Sequence, residues 1–256
     1  MVLRLLLLAG WTLFAMLIQS TMLILPGRGK EKFARVFWAG VAGILGLRVT
    51  IHGELADRRP VLYVANHSSW LDIVALGAAL PGCFVAKAAI ADWPVINWVA
   101  YLGRTIFVSR TRSGVGRERN ALVRRLNAGD NIILFPEGTT SNGTNILPFS
   151  SSFLAAAYAG PKPWAQPVTL IYDALDGMPI RLSDRPILAW YGDMALLPHY
   201  VKLGRIHRIH ATIILDPPIP PEMFADRKTL TAALQARITH NAAGLRQGKD
   251  RQSSAV

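Results

Sequence analysis

Apolar and polar positions divide this chain into a long apolar leader and a series of short blocks whose period changes repeatedly. Residues 5–25 contain no formal charge. As a helix this run would be roughly 32 Å long at about 1.5 Å per residue, against a hydrocarbon core about 30 Å thick. A second apolar stretch, 37–47, carries Gly40, Gly43 and Gly46. It predicts a helix lying in the membrane interface, with a buried core helix as the alternative. Strand-like runs then fall at 48–53, 61–65, 83–87, 105–109, 131–135, 168–172 and 208–215. Helix-like runs fall at 70–80, 94–102, 114–128, 151–159 and 228–243. This alternation predicts an α/β fold, a single layered domain with a largely parallel sheet flanked by helices. The expected organisation is a hydrophobic membrane-anchoring segment over 1–47, the domain over 48–246 and a polar, disordered tail over 247–256.

The leader ends in Leu25-Pro26-Gly27-Arg28 and lacks an Ala-x-Ala cleavage pattern, so it is expected to be retained. It either spans the bilayer or forms a shallow two-helix anchor. Arg28, Lys30, Lys32 and Arg35 follow it, whereas only Arg4 precedes it. That asymmetry places the remaining chain in the cytoplasm, against a bacterial-type inner membrane.

Composition narrows the partners. The chain of 256 residues is 51% hydrophobic and 17% charged, with a formal net charge of +12. A basic, apolar protein suits anionic lipid or an acidic partner. Nucleic acid is not expected, because no DNA- or RNA-binding motif accompanies the charge. The single Cys83 excludes an internal disulfide and a multi-cysteine metal site.

Candidate chemistry lies at two strand ends. Asn66-His67-Ser68-Ser69-Trp70-Leu71-Asp72 follows the run 61–65, and Phe135-Pro136-Glu137-Gly138-Thr139-Thr140 closes the run 131–135. Asp72 would turn back from the next helix onto the imidazole, fixing its tautomer and leaving Nε2 as a base. The alternative is a helix-capping aspartate beside a satisfied loop histidine. His52 and Asp57 share the spacing, but His52 lies within a strand and Asp57 in a charged turn, so that pair reads as structural. There is no Gly-x-Ser-x-Gly elbow, phosphate-loop lysine motif, His-Glu-x-x-His or Gly-x-Gly-x-x-Gly. A base without a protein nucleophile suggests direct activation of a substrate hydroxyl. A membrane-tethered hydrolase and a non-catalytic lipid-binding protein are the competing classes.

Four segments, taken in order, resemble the glycerolipid acyltransferase family. They are the His67…Asp72 run, Gly103-Arg104-Thr105-Ile106-Phe107-Val108-Ser109-Arg110, Phe135-Pro136-Glu137-Gly138-Thr139, and Gln166-Pro167-Val168. The resemblance implies an enzyme moving a fatty acyl group from acyl carrier protein or acyl-CoA to a lipid hydroxyl. It implies His67 as base, Asp72 as its partner, and Arg110, Glu137 and Gly138 in acceptor binding. Their block neighbours Asn66, Gly103, Arg104, Thr139 and Thr140 join them as candidate substrate contacts. No metal and no cofactor is expected. Acyl carrier protein is acidic, and Arg112, Arg117, Arg119, Arg124 and Arg125 would steer it; a solvated helix face is the alternative.

Two departures bear on the acceptor. Family members that use glycerol phosphate commonly carry Arg where this chain has Thr140, and Lys where it has Ser150. Losing both cations weakens phosphate binding. The Glu137–Ser141 sequence and the later Trp190-Tyr191-Gly192-Asp193-Met194…Pro198-His199 run resemble the lyso-ornithine lipid acyltransferase branch. The resemblance therefore implies a lyso-ornithine lipid acceptor, whose hydroxyl sits on a 3-hydroxyacyl chain. The alternative is lysophosphatidate, with Arg104 or Arg110 holding the phosphate.

Overall fold

The computed structural model describes residues 2–93, 96–108, 115–159 and 161–248. Expectations for Arg110 and Arg112, and for the tail from 249 onward, lie outside the described residues.

The N-terminal segment is a helical hairpin, α1 (Val2–Ile24) and α2 (Gly29–Leu45). Trp11 Nε1 donates to the Phe37 carbonyl at 3.0 Å, and Gln19 Nε2 to that of Lys30 at 3.1 Å. By length and composition α1 can cross a membrane, and only 11% of its most apolar window is buried. Leu3, Leu6, Leu13, Phe14 and Leu17 point outward, so this is not the core helix of a water-soluble domain. At its start, Arg4 Nη1 donates to the Ile206 carbonyl at 2.8 Å.

Helix α2 begins eight residues earlier than its apolar stretch suggested. Its charged first turns face the domain: Glu31 pairs with Arg59 at 2.7 Å, and Arg35 Nε donates to the Ala78 carbonyl. Val41, Ala42 and Leu45 enter the main core. Trp38 lies so close to Gly77 that a Cβ there would meet the indole at 2.4 Å. The hairpin is thereby packed onto α3 (Leu71–Ala79).

The sheet contains β1 (Leu47–His52), β2 (Val61–Ala65), β3 (Cys83–Lys87), β4 (Ile106–Val108), β5 (Ile132–Leu134), β6 (Trp164–Leu175), β7 (Met178–Pro179) and β8 (Ile209–Leu215). Its order is β1-β8-β6-β2-β5-β3-β4, with β7 paired to β6. Strands β6, β2, β5, β3 and β4 run parallel, and β8 runs antiparallel to β6. Every residue of β2 is buried, as a strand covered on both faces requires. One face carries α3 and α2. The other carries α5 (Val115–Asn127) and α8 (Arg227–Arg246), whose Leu230, Leu234 and Ile238 are fully buried.

All seven expected strands are present, and the sheet is largely parallel as expected. Residues 153–158 form a 3-10 helix instead of an α-helix. The helices α4 (Ile96–Leu102), α6 (Arg185–Leu188) and α7 (Leu196–Leu203) complete the chain. The last two were not expected, because Pro186, Gly192 and Pro198 interrupt any helical period there.

Candidate active site

Strands β2 and β5 are neighbours, with Val64 opposite Leu134. The three residues after each pairing carry the two turns into contact at the C-terminal edge of the sheet, where open α/β folds place their ligands. The His67 backbone amide donates to Glu137 Oε1 at 2.6 Å. The His67 ring stacks on Phe135, with centroids 3.9 Å apart and planes 13° from parallel.

Asp72 is fully buried in the first turn of α3, where the helix N-terminus favours a carboxylate. Its Oδ2 lies 2.8 Å from His67 Nδ1 and accepts the amides of Ser68 at 2.6 Å and Ser69 at 2.9 Å. Its Oδ1 accepts the Tyr172 hydroxyl at 2.6 Å. Burial, with Asp72 beside it, holds the Tyr172 phenol well above its ordinary range, so the group stays a donor. Asp72 therefore contacts the imidazole and holds the Ser68–Ser69 turn ahead of α3, whose start carries no side-chain cap, so the helix-capping alternative is not what this carboxylate does. Nε2 of His67 has no partner among the described residues and sits on a side chain 16% exposed.

Glu137 acts as a clamp. Oε1 takes the His67 amide and Oε2 the Leu147 amide at 2.7 Å. Burial pushes its carboxyl up to about 8, against the opposing pull of those two amides. The turn continues through a Gly138-to-Phe135 hydrogen bond of 3.0 Å and a Gly138 φ of 66°, a left-handed conformation that suits glycine. Thr139 is exposed and Thr140 half-buried. The Ser141 amide returns to the His67 carbonyl at 2.9 Å, and the Trp190 amide to that of Ser68 at 2.8 Å.

Several candidates belong elsewhere. The Asn66 carboxamide donates to the Leu170 carbonyl at 2.8 Å and accepts its amide at 2.9 Å, so it splices β2 to β6 instead of facing a substrate. Gly103 and Arg104 precede β4, and Arg104 pairs with Asp130 at 2.7 Å, which itself precedes β5. In a parallel sheet this is the edge opposite His67, about 16 Å of extended chain away at about 3.3 Å per residue. Arg104 also approaches Glu31 at 3.8 Å, and Arg125 meets Asp130 at 2.6 Å. These cations brace the sheet and α2, and Arg104 is too far from the turn to hold an acceptor phosphate. His199 accepts from Trp70 Nε1 at 2.9 Å and donates to the Ile187 carbonyl at 3.1 Å. Burial pushes it below the usual histidine range, and it ties α7 to α3. His52 is exposed, and among the described residues Asp57 pairs with its neighbour Arg58 alone. Among the described residues no cluster of three His, Cys, Asp or Glu could hold a metal.

Comparison with known proteins bears on the family and the fold. Residues 48–171 match the family model described as Acyltransferase. The lyso-ornithine lipid O-acyltransferase of Brucella abortus is 35% identical over 227 residues, covering 86% of this chain and 85% of that protein. The 1-acyl-sn-glycerol-3-phosphate acyltransferase of Neisseria gonorrhoeae is 39% identical over 203 residues, covering 77% and 76%. The crystal structure of the 1-acyl-sn-glycerophosphate acyltransferase of Thermotoga maritima superposes with a TM-score of 0.64 at 21% identity, over 96% of this chain and 90% of that one, which establishes the shared fold. A buried, hydrogen-bonded His67–Asp72 pair at the sheet edge, within relatives that span most of its length, places this chain in the glycerolipid acyltransferase family.

Proposed function

We propose that this acyltransferase transfers a fatty acyl group from acyl carrier protein or acyl-CoA to the 3-hydroxyl of lyso-ornithine lipid. The observation that carries the mechanism is the 2.8 Å contact between His67 Nδ1 and Asp72 Oδ2, with Nε2 unpartnered among the described residues. His67 Nε2 takes the proton of the acceptor hydroxyl as its oxygen attacks the thioester carbonyl. Collapse of the tetrahedral adduct expels the thiolate, which recovers that proton from the imidazolium. The products are an ester and a free carrier thiol, with no acyl-enzyme. Asp72 holds the tautomer and stabilises the transient cation. The amides of Thr139 and Thr140 have no partner among the described residues and are the donors we assign to the oxyanion. Asn66, Gly103, Arg104 and Glu137 support the site from outside it, whereas Gly138 shapes the acceptor-side turn.

Thr140 and Ser150, in place of phosphate-binding cations, favour the ornithine acceptor. The Neisseria gonorrhoeae relative favours a second reading, acylation of lysophosphatidate to phosphatidate. The exposed apolar side of α1 supports membrane attachment, and the basic residues after it support a catalytic domain on the cytoplasmic side of a bacterial inner membrane. Acyl transfer by membranes holding the protein, with both acceptors in competition, tests the assignment. Product from lysophosphatidate alone would overturn the ornithine reading.

A further inference from the structure

A second histidine–aspartate pair lies on the other face of the sheet. His210 Nδ1 is 2.5 Å from Asp173 Oδ1, and Asp173 Oδ2 accepts the Thr212 hydroxyl at 2.5 Å. Thr50 Oγ1 is 2.9 Å from His210 Nε2. A carboxylate only accepts, so Nδ1 carries the proton, and Nε2 of the neutral ring accepts from the Thr50 hydroxyl. Hydroxyl, imidazole and carboxylate thus stand in one hydrogen-bonded line, the arrangement that activates a protein nucleophile. Such a hydroxyl is what the His67 site lacks among the described residues. The side chains of His210 and Asp173 are 36% and 30% exposed, so water could satisfy either one, and burial does not compel them to meet.

Three strands build this line. Thr50 of β1 stands opposite Thr212 of β8 in parallel register, and His210 shares the face of Thr212 two residues earlier. The alternate residues Ile209, Ala211 and Ile213 enter the main core on the opposite face. The pairing of β6 with β8 shifts between Tyr172 and Ala174, which makes Asp173 the extra residue of a bulge. Bulges re-aim side chains and are over-represented beside active sites. Tyr172 reaches Asp72 on one face of the sheet, and its neighbour Asp173 reaches His210 on the other. Arg48, Thr50 and His52 are exposed on one face of β1. That strand ends the sheet order among the described residues. Every second amide of an edge strand is left unpaired by the sheet, so the Thr50 or the Ile51 N–H is free to meet an oxyanion.

We propose that Thr50 is the nucleophile of a second site, which takes an acyl group from a thioester on an anionic carrier. His210 Nε2 accepts the hydroxyl proton as Thr50 Oγ1 attacks the thioester carbonyl. The adduct collapses with cleavage of the C–S bond, and the thiolate leaves with the proton held by His210. An ester on Thr50 and a free carrier thiol remain, with no net oxidation or reduction. Asp173, itself held by Thr212, fixes the imidazole and stabilises its transient charge. Arg48, two residues before Thr50 on the same face, supplies a cation for the phosphates of the carrier. The step uses neither His67 nor a lysolipid, so it stands apart from the function proposed above.

The test uses the full chain carrying His67→Ala, in detergent, with labelled palmitoyl-CoA and no lysolipid. Neutral hydroxylamine removes any thioester formed on Cys83, and peptide mass spectrometry then locates the remaining label. Exposed Thr229, whose hydroxyl meets Asp226 and no histidine among the described residues, is the internal reference. Acyl ester on Thr50 should exceed that on Thr229 by about tenfold or more. Adding Thr50→Ser should keep the label, and adding Thr50→Val should remove it from that peptide. Adding His210→Gln should lower it by about tenfold or more while the circular dichroism spectrum stays native. Asp173→Asn carries the same expectation and takes the place of His210→Gln if that variant has lost its native spectrum. Label on Thr50 no greater than on Thr229, or undiminished in the folded histidine or aspartate variant, overturns the proposal.

Discussion

The Tyr172 hydroxyl donates a 2.6 Å hydrogen bond to Oδ1 of Asp72, the carboxylate oxygen that His67 does not use. Asp72 is thereby held from both ends, and its lone pair toward Nδ1 cannot rotate away. Tyr172→Phe removes this restraint without opening a cavity. It should lower kcat about five- to fiftyfold, the loss of one hydrogen bond to a charged group, with KM for either substrate changed less than about twofold. Steady-state kinetics on membranes checks the split; an unchanged kcat would make Tyr172 a packing residue only.

Glu137 gives a pH signature. Its folded carboxyl sits at about 8 against an ordinary 4.5, so between those values the folded state holds a proton that the unfolded state releases. Stability from this group therefore falls as pH rises from 4.5 to 8. Glu137→Gln cannot titrate and turns an NH2 toward one of the two backbone amides, at a cost of about 1–3 kcal/mol. Thermal unfolding in detergent should show the wild type losing Tm relative to the variant between pH 5 and pH 8. A constant difference would contradict the assignment.

The face between α2 and α3 admits no side chain at Gly77, where a Cβ would lie 2.4 Å from Trp38. Gly77→Val should destabilise by about 1–3 kcal/mol through overpacking and loosen the N-terminal hairpin from the sheet. Limited proteolysis should then cut the hairpin faster than in wild type. Equal protection would show that α2 docks by other contacts.

Arg104 separates a brace from a ligand contact. Arg104→Gln leaves Asp130 with one of its two arginine partners and should cost about 3 kcal/mol. KM for an anionic acceptor should change less than about twofold, because the side chain lies at the far edge of the sheet. A KM rise of about tenfold would return Arg104 to the acceptor site.

The meeting of the two blocks was legible because His67 and Glu137 each follow a short buried run, and the His67–Asp72 contact because Asp72 falls in the first turn of the helix that follows the histidine. Two strand ends in a parallel sheet share an edge, which brought the two blocks together without further information. Arg104 was misplaced for a related reason: it stands in a block that resembles a segment of the family, but β4 spans only Ile106–Val108, and which end of so short a strand a residue occupies depends on the partner strand. Tyr172 carried no local signal. Its role depends on Ala65 pairing with Val168, which sets β6 beyond the end of β2 and level with Asp72.

Labelled acyl-ACP supplied to membranes with lyso-ornithine lipid and lysophosphatidate in equal amounts, for wild type and His67→Ala side by side, tests the central claim most directly. Label should enter the ornithine ester in wild type and stay on the carrier in the variant, with the variant still expressed and membrane-bound. Comparable transfer by His67→Ala would contradict the base mechanism, and label confined to phosphatidate would contradict the acceptor.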